Sequence, residues 1–77
     1  MKHSHILIIG HIHDGDGPHI GQYMNMTESQ ARTQFTNQVR RDEGVPEIDV
    51  IRGCEYTNVY IEYLATSDSP IELHFGD

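Results

Sequence analysis

The 77-residue sequence predicts one α+β domain over residues 1–77, in the order β-β-α-β-β-β, an antiparallel or mixed sheet with one helix packed on one face. Three observations predict it. An isoleucine-rich run, Ser4 to Ile12, reads as a strand. The capping box Thr27-Glu28-Ser29-Gln30 opens a stretch with apolar residues three and four apart. Two period-two segments, Val59 to Ala65 and Ile71 to Phe75, flank the turn Ser67-Asp68-Ser69-Pro70.

The first strand is interrupted by Gly10. Ile6, Ile8 and Ile12 form one face; His3, His5, Leu7, Ile9, His11 and His13 form the other. Neither face is cleanly polar, which predicts a central strand or one whose second face a partner covers. Asp14-Gly15-Asp16-Gly17-Pro18 is a turn. His19 to Met26 then returns antiparallel, with Ile20, Met24 and Met26 toward the core and Tyr23 on the opposite face. The helix is expected over Glu28 to Glu43, with Ala31, Phe35 and Val39 as a narrow apolar stripe and Met26 stapled onto Ala31. Arg40 and Arg41 suit its C-terminal dipole, Gly44 its C-cap, and Pro46 stops it. Ile48, Val50 and Ile51 mark a third strand, and Arg52-Gly53-Cys54 is a turn or a bulge. In the fourth strand Val59, Ile61, Tyr63 and Ala65 alternate with Tyr60, Glu62 and Leu64. Ile71, Leu73 and Phe75 alternate with Glu72 and His74 in the fifth, which forms a hairpin with the fourth.

A chain this short hides only about 60% of its unfolded surface, so its own core is marginal. Leu7 and Ile9 lie opposite Ile6 and Ile8, and one helix covers only one side of a sheet. A homodimer or an obligate protein partner is therefore expected. The lone cysteine, Cys54, excludes an internal disulfide and favours a reducing, cytoplasmic setting. The longest aliphatic run, Ile6 to Ile9, is far below the roughly 20 residues that span a bilayer, so no membrane partner is expected.

The net charge of −7 is unevenly placed: residues 47–77 carry seven carboxylates against Arg52 alone. Direct binding to a phosphate backbone is disfavoured, because it needs clustered positive charge. Attraction to a basic protein surface is favoured.

Five of six histidines fall in the first nineteen residues. His11 and His13, two apart on a strand, point the same way and could grip one ion, with Asp14, Asp16 or His19 supplying a third ligand. His5 is six residues before His11, about 20 Å along an extended strand, and cannot join them without a bend. The loop is not an EF-hand: counting from Asp14, His19 stands where glycine is required and Asn25 where glutamate is. No nucleophile elbow, dinucleotide fingerprint or phosphate loop is present. No enzymatic activity and no cofactor are expected.

Two function classes follow. The first is a small acidic protein-binding module, of the kind seen in phage-type inhibitors that occlude a basic, nucleic-acid-binding surface of a host enzyme or defence complex in the host cytoplasm. Its expected contact residues are Asp49, Glu55, Tyr56, Tyr60, Glu62, Asp68 and Glu72, carboxylates interleaved with tyrosines. An acidic surface that merely keeps a small protein soluble explains the same composition. The alternative is a module binding zinc or another divalent transition metal through His11, His13, Asp14, Asp16 and His19.

Overall fold

The computed structural model describes residues 1–15, 17–47 and 57–71. Within them lie β1 (Lys2–Ile12), β2 (His19–Thr27), α1 (Glu28–Asp42) and β3 (Val59–Ser67). The strands form one antiparallel sheet in the order β2-β1-β3, with β1 in the centre as its two-sided character requires. The order β-β-α-β replaces the expected five-stranded β-β-α-β-β-β. The strand expected at Ile48 to Ile51 lies outside the described residues, as do Glu72 to Phe75 of the last one. Ile71 is described and belongs to no strand; it lines a groove beside Leu7 instead. A period-two run is only a local pattern, and pairing decides whether it becomes a strand.

α1 starts where local chemistry places it. Thr27 Oγ1 accepts from the Gln30 amide at 3.1 Å, and Gln30 Oε1 accepts from the Thr27 amide at 3.0 Å. Glu28 and Arg32 pair one turn apart at 2.9 Å. The C-terminus closes in a Schellman motif: the Val45 amide donates to Arg40 O at 2.8 Å and the Gly44 amide to Arg41 O at 3.1 Å. Gly44 supplies the left-handed backbone this needs, with φ of 76°. The side chain of Arg40 then donates to the carbonyls of Pro46 and Thr57, tying the end of the helix to the start of β3.

The helix buries Ala31, Phe35 and Val39 against Ile6, Ile8 and Ile12. Tyr23 completes the cluster, and Met26, Val45, Val59, Ile61 and Leu64 pack around it. Complete burial of a ring such as Phe35 contributes about 1.5–3 kcal/mol. No helix among the described residues is long and apolar enough to cross a membrane.

Two side-chain assignments change, on β2 and at Leu7, and the faces of β3 are decided. On β2, Tyr23 faces the core and Ile20 and Met24 face outward, the reverse of the expectation. Register decides this: Tyr23 is paired with Ile6 and Gly21 with Ile8, so both share the helix-covered face. Asn25, in the left-handed region at φ 57°, lies between outward Met24 and Met26, which still reaches the core. On β3, whose two alternating sets had no face assigned, Leu64 packs on the core and Tyr63 is exposed, because a bulge shifts the register there. Leu7, expected to need a partner, is only 1% exposed within the single chain.

Candidate functional site

No described element covers the face of the sheet opposite α1. The register lays out that face in rows: Met24, His5 and Ser67; Gln22, Leu7 and Ala65; Ile20, Ile9 and Tyr63; then His11 and Tyr60. Leu7 in its centre is buried, and four large side chains around it are exposed: Ile20 by 40%, Met24 by 59%, Tyr60 by 42% and Tyr63 by 52%.

The bulge shapes the more polar half of this face. Ile9 pairs with Tyr63 and Gly10 with Ile61, so Glu62 is the extra residue on β3. Gly10 makes this possible. A Cβ there would collide with the Tyr60 carbonyl oxygen and lie 3.0 Å from Phe35 Cε2. The bulge brings Tyr63, which strict alternation would send to the opposite face, onto the side of Tyr60 and Glu62. Glu62 Oε1 lies 3.0 Å from His11 Nδ1. The His11 ring stacks on Tyr60, centroids 5.2 Å apart and planes 29° apart. His13 meets the same tyrosine edge-on at 6.5 Å, and its amide donates to Asn58 O at 2.8 Å, which extends the β1–β3 contact past the strand end.

The other half is a groove of about 420 Å³, whose lining includes His5, Leu7, Gln22, Met24, Pro70 and Ile71. Its walls are mostly aliphatic, and His5 and Gln22 supply the polar groups.

Of the contact residues expected from sequence, Tyr60 and Glu62 stand together on this face. Asp68 is exposed in the turn after β3, where the Ser69 amide donates to Ser67 Oγ at 3.1 Å. Asp49, Glu55, Tyr56 and Glu72 lie outside the described residues.

The histidine-rich segment is divided. His11 is on the open face, paired with Glu62. His13 is beside Asp14, at 3.4 Å. His19 pairs with Gly10 in the ladder, so it faces the helix side, where its Nε2 lies 3.2 Å from Glu43 Oε1. The turn between the strands thus sends His11 and His19 to opposite faces. Asp16 lies outside the described residues, and among those described no three His, Cys, Asp or Glu side chains converge as metal ligands would.

The sequence reading missed Ile20 and Met24 as surface residues, and missed that Tyr63 shares a face with Tyr60 and Glu62. Gly10 was the available signal, since a glycine inside a strand often marks a bulge or a close backbone approach. Elsewhere, Tyr23 donates its hydroxyl to Gln38 Oε1 at 3.1 Å, and burial pushes its pKa up from 10.0 to about 12.

Comparison with protein families, curated proteins and solved structures gave no match to this chain.

Proposed function

We propose that the chain is a protein-binding module that docks through the exposed side chains of the sheet face opposite α1, acts in the cytoplasm, and inhibits a partner by covering a basic surface. The observation that carries this reading is the exposure of Ile20, Met24, Tyr60 and Tyr63 on one face while the helix occupies the other. Tyrosine and methionine are enriched at protein interfaces, and contiguous exposed apolar side chains mark interaction sites. The net charge of −7 favours a basic partner and steers its approach. A partner of this kind would use its own nucleic-acid-binding groove, which this chain would occlude.

The test is quantitative affinity capture from candidate host cells with wild type, an Ile20→Ser/Met24→Ser variant, and a helix-surface control, Ser29→Ala/Thr33→Ala. A specific partner should be retained by the control and lost by the face variant, with an on-rate that falls as salt rises. Capture unaffected by the face variant, or equally weakened by both variants, would refute docking through this face.

A further inference from the structure

We infer that Glu62, Tyr60 and Tyr63 form a subsite for an arginine side chain of the partner protein. This inference rests on the protein-binding reading of the same face and adds the chemistry of recognition. Its first support is the bulge. It gathers a carboxylate and two exposed phenol rings on one short stretch of β3, where strict alternation would put Tyr63 on the face opposite Tyr60 and Glu62. The second is orientation. His11 Nδ1 engages Glu62 Oε1 at 3.0 Å and steadies the carboxylate. A carboxylate has about four acceptor positions. One contact with an imidazole therefore leaves capacity for two parallel N–H donors from a guanidinium.

The third support is charge. The described residues of this face include no lysine or arginine, and the chain as a whole carries −7. Among the described residues of this face, a cation arriving at Glu62 meets no lysine or arginine.

Arginine fits this chemistry better than lysine. Its guanidinium is planar, stacks on aromatic faces, and matches a carboxylate with two parallel hydrogen bonds. The lysine ammonium is a compact point charge that is more strongly hydrated, so it loses more on leaving water. A nucleobase would also stack on Tyr60 and Tyr63. Its phosphates, however, would have to approach Glu62 on a strongly acidic chain, whereas stacking platforms for single strands normally lie in a positive groove.

The test uses two defined probes, a short arginine–glycine peptide and its lysine–glycine counterpart. Each is titrated at low salt into the full chain while the NMR resonances of His11, Tyr60, Glu62 and Tyr63 are followed. The arginine peptide should give saturable shifts centred on these residues and bind about tenfold more tightly than the lysine peptide. Glu62→Gln should weaken it about tenfold or more, and Tyr60→Leu or Tyr63→Leu severalfold. Glu28→Gln, a charge loss of equal size on the helix, should leave it unchanged. Equal affinity for both peptides, shifts centred elsewhere, no effect of Glu62→Gln, or displacement of the peptide by oligothymidine at these residues would overturn the inference. Failure here is distinct from failure of the docking face: a partner lost in Ile20→Ser/Met24→Ser, with peptides indifferent to Glu62, removes the arginine subsite alone.

Discussion

Replacing Gly10 with alanine probes the link between the core and the candidate site. The added Cβ would collide with the Tyr60 carbonyl oxygen and lie 3.2 Å from Ile61 Cα, both of them backbone. Its third neighbour, Phe35 Cε2 at 3.0 Å, belongs to a ring with no exposed surface and little room to swing. Relief must come from moving β3 away from β1 at the bulge. Overpacking of this kind costs about 1–3 kcal/mol. Alanine recovers about 0.5–1 kcal/mol, because glycine in a strand interior loses more conformational freedom on folding. Because the closest clash is with backbone, the cost belongs in the upper part of that range, about 2–3 kcal/mol, and the net expectation is a loss of about 1–2.5 kcal/mol, against about 4–12 kcal/mol for a domain of this length. In urea, with a slope near 1 kcal/mol per molar, the midpoint should fall by about 1–2.5 M. The amide resonances of Tyr60 to Tyr63 should shift in the folded state. Gly21→Ala is the comparison. Its nearest neighbours are atoms of the Tyr23 ring, 2.6–2.9 Å away, the far end of a side chain. That ring can rotate aside at the expense of its bond to Gln38, and β3 should be undisturbed. An unchanged or higher midpoint for Gly10→Ala, or unmoved Tyr60 to Tyr63 resonances, would refute the role assigned to Gly10.

Two further outcomes are expected. With the folded Tyr23 pKa raised from 10.0 to about 12, its contribution to stability should be fully present below pH 10 and lost between pH 10 and 12, at a limiting slope of about 1.4 kcal/mol per pH unit. Urea unfolding at stepped pH checks this, and a Tyr23→Phe variant with the same alkaline decline would assign it to other groups. Zinc titration should give only weak, non-stoichiometric binding, because His11 and His19 lie on opposite faces. A saturable one-to-one site lost in His11→Ala/His13→Ala would overturn that expectation.

The elements legible in the sequence are those set by local chemistry. Thr27 and Gln30 bond to each other's backbone, and Gly44 needs only its own φ, so both ends of α1 could be read without its neighbours. The split of β1 into Ile6, Ile8 and Ile12 against the histidine face also follows from the alternating backbone. What was not legible depends on a second strand. β2 has apolar residues on both faces, and only pairing with β1 decides that Tyr23 enters the core and Met24 does not. The reversal on β3 comes from a bulge opposite Gly10, about fifty residues away in sequence. Tyr60 and Glu62 were foreseen as surface contacts, but His11 joins them through the β1–β3 register and Tyr63 through the bulge. The histidines mislead for the same reason: closeness along the chain says nothing about which side of a sheet the next strand will present.

The central position of β1, the first strand in chain order, has a kinetic consequence. Its pairing with β2 closes across a short turn, but its pairing with β3 joins residues as distant as His5 and Ser67. Closing so long a loop is entropically slower than closing a turn. The hairpin and helix can therefore assemble first and leave the aliphatic edge of β1 unpaired, the condition in which strands attract their like. Arrival of β3 ends that exposure, and the same step delivers Tyr60, Glu62 and Tyr63. A half-assembled chain would thus have most of its secondary structure and the Ile20 and Met24 part of its docking face, but not the part that β3 supplies, so recognition that needs both parts would report that folding had finished.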